Sequence, residues 1–260
     1  MDDKEIKSRL YFGIRQVLPE LIPFLREEYQ KHHELLSPED NTIQPDIGAE
    51  ERGVSIITER FPGDAVVAEE RSKADNNVAG RPASFGWTAD FLDGSTNFRK
   101  HRPYFAISMS LNKGKDLLGG LICDPIANKK FYAIKGRGAY LDRRPLSVSV
   151  QKDLSKAKMG LISLNSYRKH NELDLMQRLY QAAGECRTKG CTSLELAACA
   201  AGELDAVVKP TKNNWLDAGI LMVEEAGGKV TAIDRSSHKI YVASNPYIHD
   251  ELCRIVRERK

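Results

Sequence analysis

The stretch Trp87-Thr88-Ala89-Asp90-Phe91-Leu92-Asp93-Gly94-Ser95-Thr96-Asn97-Phe98 sets two carboxylates at the end of a short apolar segment, then a glycine, then two hydroxyl residues placed to open a helix. That order brings hard oxygen ligands and a ring of backbone N–H groups to one strand end, which suits a divalent cation together with a phosphoryl group. Asp-Gly between apolar runs is also a common hairpin signal, and Ser-Thr after it a common helix cap. Two further segments argue for more than a turn. Ala65-Val66-Val67-Ala68-Glu69-Glu70 is another apolar strand ending in acid, and Asn214-Trp215-Leu216-Asp217 places an acid at the start of a helix that Gly227-Gly228 terminates. Carboxylates converging from three such places would repel and raise one another's pKa values, and bound cations relieve that conflict.

These residues need a frame to hold them. Residues 4–37 read as helical, with an apolar stripe of Ile6, Leu10, Ile14, Val17 and Leu21 that Pro19 and Pro23 break or bend. A second amphipathic helix is expected over 49–60, stopped by Phe61-Pro62-Gly63-Asp64. Strands follow at 65–68, 85–90, 105–112, 117–123, 130–135 and 139–141. Beyond residue 150 the texture changes. Strands at 158–163, 185–188, 205–209, 229–233 and 240–243 alternate with helices at 172–183, 192–201, 217–226 and 246–258. The expected organisation is an α+β half over 1–150 carrying most of the acidic cluster, and an α/β half over 151–260 completing the site.

Composition bounds the rest. The 260 residues, 41% of them hydrophobic, suffice for one large core or two packed halves. A net charge of +3 leaves no broad basic footprint for nucleic acid. No apolar run approaches the ~18 residues of a membrane span, and the mixed, acidic N-terminus does not read as a signal peptide. Five cysteines (Cys123, Cys186, Cys191, Cys199, Cys253) form no Cys-x-x-Cys pair, so reduced thiols in a cytoplasmic protein are expected.

Glu-Glu at a strand end, Asp90-Phe91-Leu92-Asp93-Gly94-Ser95-Thr96-Asn97-Phe98, and a tryptophan and acid before a helix ending Glu225-Ala226-Gly227-Gly228 together resemble the inositol monophosphatase family. This family lies within the lithium-sensitive, magnesium-dependent sugar-phosphate phosphatase superfamily, which includes the archaeal-type fructose-1,6-bisphosphatases. The match runs in order from Asp46 to Gly228. It implies the layered α-β-α-β-α sandwich of that superfamily, a phosphoric monoester hydrolase activity, and a homodimer. It also implies two or three magnesium ions per site, with manganese as an alternative. The metal ligands carried over are Glu69, Asp90, the Leu92 carbonyl, Asp93 and Asp217. Glu70 competes with Glu69, since adjacent strand residues face opposite ways; the family uses the first glutamate. Phe91 stands where the family usually has proline, and the loss of a fixed φ predicts a slightly less rigid loop. Asp217 departs from the pattern. Leu216 separates it from Trp215, and it sits two residues later than usual, about 200° around a helix. A ligand role therefore requires a shifted helix start, and the alternative is a helix cap without metal contact.

By the same resemblance Asp46, 23 residues before Glu69, and Ser95 orient and deprotonate a metal-bound water, with Glu69 assisting. The alternative for Asp46 is an ordinary helix-capping acid before Ile47-Gly48-Ala49. Gly94, Ser95 and Thr96 would hold the phosphoryl oxygens through their N–H groups, and Asp93 would also contact substrate. His101 reads as a loop histidine outside the chemistry. Lys209 falls where inositol-specific members carry a glutamate, and with Tyr167, Arg168, Lys169 and Arg187 it suits a substrate bearing a second anionic group. Inositol 1-phosphate and fructose 1,6-bisphosphate stand unranked. A 3′-phosphoadenosine nucleotide phosphatase and a catalytically weak binding or regulatory family member are the alternatives.

Overall fold

A computed structural model describes residues 3–36, 41–70, 85–212 and 215–258. Asn214, part of the predicted Trp-Asp segment, lies outside the described residues. The N-terminal arm runs as α1 (Asp3–Phe12), a π-helical stretch (Gly13–Val17) and α2 (Leu18–Glu28). Pro19 cannot donate to the Arg15 carbonyl four residues back, which accounts for the π-helical turn there, and Pro23 sits inside α2 without ending it. The helix ends well before residue 37, where the His33 ring hydrogen-bonds the Glu28 carbonyl at 2.7 Å. Helix α3 (Gln44–Arg60) starts five residues earlier than residue 49, because Pro45 favours the first turn and the Asp46 carboxylate accepts the Ile43 N–H at 2.7 Å.

The first sheet is built in chain order from β1 (Ala65–Ala68), β2 (Gly86–Asp93), β3 (Ala106–Lys113), β4 (Asp116–Asp124), β5 (Lys129–Ile134), β6 (Gly138–Leu141) and β7 (Arg144–Pro145). Only β1 and β2 run parallel in it; the rest is an antiparallel meander. The short helix α4 (Ser95–Arg99) follows β2. The second sheet comprises β8 (Lys158–Gly160), β9 (Glu185–Arg187), β10 (Ala206–Thr211), β11 (Lys229–Asp234) and β12 (Lys239–Ser244), ordered β11-β12-β10-β8-β9. Strand β8 stops three residues short of Ser163, since Ile162 takes a positive φ of 52°. Ser163 then caps a helix the sequence did not suggest, α5 (Leu164–Lys169), by accepting the Ser166 N–H at 3.2 Å. Helices α6 (Leu173–Ala182), α7 (Thr192–Ala200), α8 (Asp217–Glu225) and α9 (His249–Arg257) complete the chain.

The layers alternate. Helices α1 and α3 cover the outer face of the first sheet, α7 and α8 fill the space between the two sheets, and α5, α6 and α9 cover the far face of the second. This is the expected α-β-α-β-α sandwich. One core cluster belongs to both sheets, joining Ala106 and Ile122 of the first to Leu196 and Met222 of the middle helices and Ala243 of the second. All five cysteines are unpaired thiols. Among the described residues no helix is long and apolar enough to cross a membrane.

Candidate active site

Asp90 and Asp93 are three apart, and in a regular strand they would face opposite ways. The pairing of β2 with β3 shows how they come together: Asp90 pairs with Ser108 and Asp93 with Ala106, so β2 holds one extra residue there. That bulge returns Asp93 to the side of Asp90. The chain then turns through Gly94 at φ 102° into α4. A side chain at Gly94 would be strained by that φ and would press on the Tyr104 carbonyl at 3.2 Å. Asp-Gly here ends a strand and opens a helix; it does not form a hairpin. Phe91 is buried, and its ring lies so close to Gly53 of α3 that an added Cβ would sit 2.4 Å away. Packing, not a fixed φ, pins the loop at this point.

Beside this turn, the Ser95 hydroxyl donates to Asp46 at 2.7 Å and lies 3.1 Å from the Leu92 carbonyl. Asp46 therefore caps α3 with one oxygen and receives the Ser95 hydroxyl with the other. Burial pushes the Asp46 carboxyl up to about 7, against the lowering effect of its two hydrogen bonds and with small help from Glu70 and Glu69. The two glutamates follow β1 in a helical turn, not in the strand. Glu70 accepts the Thr42 hydroxyl at 3.0 Å, whereas Glu69 lines the large cleft described next.

That cleft encloses about 760 Å³ between the two sheets' ends. One wall is the acidic turn, with Glu69, Asp93, Gly94, Ser95 and Thr96; the other carries Arg168, Lys169, His170, Lys209 and Lys212 with the hydroxyls of Ser163, Ser166, Thr192 and Thr211. Asp93 joins the walls: its Oδ2 accepts the Ser193 N–H at the start of α7 at 2.6 Å and the Cys191 thiol at 3.4 Å. Lys209 Nζ donates to the Thr192 hydroxyl at 2.5 Å.

The structure sorts the remaining expectations. Asp217 is the first residue of α8 and makes no side-chain cap. It lines a narrow crevice together with Asp90, Thr88, Ser108, Ser110, Trp215 and Ala218, none of which lines the main cleft. Tyr167 does not reach the cleft: it is fully buried and its hydroxyl donates to the Val208 carbonyl at 2.8 Å, because α5 turns this face into the core. Arg187 is also away from the cleft lining, paired with Glu185 at 2.6 Å on the edge strand β9. His101 is exposed and bound to the Tyr29 carbonyl at 2.8 Å. Sequence reading missed His170, Lys212 and the hydroxyls of the basic wall; His170, Ser163 and Ser166 come with the unrecognised helix α5 and its caps. The Ser163-x-x-Ser166 cap was the available signal. It also missed Asn97, whose amide donates to the Tyr104 and Lys189 carbonyls at 2.8 and 2.7 Å and so ties the turn after β2 to the loop after β9.

Asp90 carries the strongest electrostatic conflict. Burial raises its carboxyl well above the usual range, and the neighbouring charges of Glu69 and Asp93 raise it further. Burial also raises Asp217. The donors are hard oxygens throughout, matching magnesium or manganese, and a cation would relieve the repulsion that the folded chain concentrates here. Among the described residues no three or more His, Cys, Asp or Glu side chains are grouped so that they could hold a metal ion by themselves; Glu69 and Asp93 line the cleft, whereas Asp90 and Asp217 line the crevice.

The layered fold and the acid-bearing strand–helix turn define a sugar-phosphatase-type scaffold. The chain belongs to the inositol monophosphatase family, which it matches over residues 7–260. It is 33% identical over 228 residues to an inositol-1-monophosphatase of Caulobacter vibrioides, covering 84% of this chain and 88% of that one. It is also 33% identical to the Nus factor SuhB of Pseudomonas aeruginosa, covering 74% of this chain and 72% of the relative. The crystal structure of the extragenic suppressor protein suhB from Bartonella henselae superposes with a TM-score of 0.83 at 26% identity, over 97% of this chain and all of the other.

Proposed function

We propose that the protein is a magnesium-dependent hydrolase of sugar or inositol phosphate monoesters. The observation that carries this reading is the meeting, in one cleft, of Glu69 and Asp93 with the Ser95–Asp46 pair and a cationic opposite wall. Glu69, Asp90, the Leu92 carbonyl and Asp93 would hold the metal, with Asp217 reaching it through the crevice it shares with Asp90. When bound, magnesium lowers the pKa of a coordinated water and offsets charge on the phosphoryl and leaving oxygens. The rest falls to the chain. Ser95 would accept a proton from the attacking water while passing its own to Asp46, so the water oxygen bonds to phosphorus in line as the ester P–O bond breaks and the leaving oxygen takes a proton from solvent and departs as the alcohol. The N–H groups of Gly94, Ser95 and Thr96 receive the phosphoryl oxygens. Arg168 and Lys209 grip the part of the substrate that does not react, and a second phosphate there would gain charge-assisted hydrogen bonds. Inositol 1-phosphate and fructose 1,6-bisphosphate are therefore both candidates, with a 3′-phosphoadenosine nucleotide as a third. The resemblance also carries lithium inhibition, a homodimer and a cytoplasmic setting.

Phosphate release with magnesium, compared across these three esters, tests the reading. Turnover abolished by a chelator and restored by magnesium is the expected result. The likeness to a Nus factor favours a second reading, a binding or regulatory protein on the same scaffold. Absence of turnover on every phosphomonoester would sink the hydrolase and leave that second reading.

A further inference from the structure

Outside the residues placed in the reaction, one buried carboxylate organises the cleft. Glu195 lies in the first turn of α7 and is 1% exposed. Its Oε1 accepts the Lys189 N–H at 2.9 Å and its Oε2 accepts the Ile162 N–H at 3.2 Å. Those amides belong to the loops that leave the neighbouring parallel strands β9 and β8. The loops are also tied to each other, the Gly190 N–H donating to the Ile162 carbonyl at 2.9 Å. Ile162, Ser163, Gly190 and Thr192 all line the cleft. The approach is close by construction: a Cβ at Gly160 would lie 2.6 Å from Glu195 Oε2. A carboxylate so buried is costly unless both oxygens are used, and both are used on cleft-wall backbone.

We infer that Glu195 is a positioning residue: it fixes the backbone wall that receives the non-reacting part of the substrate, and so sets KM more than turnover. The inference rests on the phosphatase reading above. Glu195→Gln tests it with little change of shape. Its amide can accept one N–H but turns a donor toward the other, so one loop must shift. The KM for the preferred sugar phosphate is expected to rise about tenfold with kcat within about twofold. p-Nitrophenyl phosphate, which offers the wall no hydroxyls, is expected to show less than about a threefold change in KM. Backbone exchange of Ile162 and Lys189, followed by mass spectrometry, is expected to quicken about tenfold. Gly160→Ala, which crowds Oε2 from outside, should reproduce the KM effect if Glu195→Gln fails to fold. A fall in kcat with KM unchanged, equal losses on both esters, or kinetics and exchange that match the parent would each overturn the inference. If the parent hydrolyses no phosphomonoester, the phosphatase reading fails, and the exchange result still decides whether Glu195 holds the two loops.

Discussion

The two walls of the cleft are made in different ways. The acidic wall comes from one continuous run, β2 into α4, with Glu69 and Asp46 delivered by the elements packed beside it. The basic wall is gathered from α5, the loop after β9, and the end of β10, three separate segments spread over residues 163–212. The first wall is shaped by local backbone devices, a bulge and a left-handed glycine, which fix oxygen positions tightly. The second depends on the order in which β10, β8 and β9 pair, and its cations sit on long, adjustable stems. Chemistry that tolerates little displacement belongs on the first, and recognition that can vary among relatives belongs on the second.

Changes to the acidic wall should therefore be the most damaging. Asp93→Asn keeps an oxygen for the Ser193 N–H, so folding should persist, while turnover falls about a thousandfold with loss of a charged ligand. Near-normal turnover in magnesium would break the division between the walls at its strongest point. Ser95→Ala removes the link between Asp46 and the Leu92 carbonyl. A drop of about a hundredfold in kcat with KM nearly unchanged is expected from steady-state assays. An equal change in KM would make Ser95 a binding residue and blur the contrast.

The same contrast governs what the sequence disclosed. The acidic turn was legible because Asp93, Gly94, Ser95 and Thr96 are contiguous and follow an apolar segment. Six of the seven strands of the first sheet were likewise legible from alternation and glycine turns, while the two-residue β7 was not. What could not be read was the bulge that brings Asp93 round beside Asp90, since one extra residue in pairing leaves no mark on composition. Tyr167 was misplaced because a six-residue helix is too short to show a periodic face, so its neighbour Arg168 lines the cleft while the tyrosine enters the core. Arg187 looked like its equals, and only the edge position of β9 takes it away from the site. Glu195 stood unnoticed between leucines, because a buried carboxylate and a solvated one have the same letter.

On the basic wall the effects should be smaller and substrate-dependent. Replacing Lys209 with methionine keeps the stem but removes the charge and its hydrogen bond to Thr192. For a bisphosphate the KM should rise about tenfold, the worth of one charge-assisted contact, while a monophosphate changes little. Equal effects on both substrates would show that Lys209 senses only the reacting phosphate, and the wall would lose its separate role.

The smallest effect tests where the wall ends. Tyr167→Phe removes a buried hydroxyl and leaves the Val208 carbonyl without that donor. Thermal unfolding should reveal a loss of about 1–2 kcal/mol. Since the side chain faces the core and not the cleft, kcat and KM should stay within about twofold, as they should for the exposed pair-forming Arg187→Ala. A KM shift at Tyr167 that exceeded the one at Lys209 would mean that substrate draws α5 inward on binding. The adjustable wall would then be a moving one.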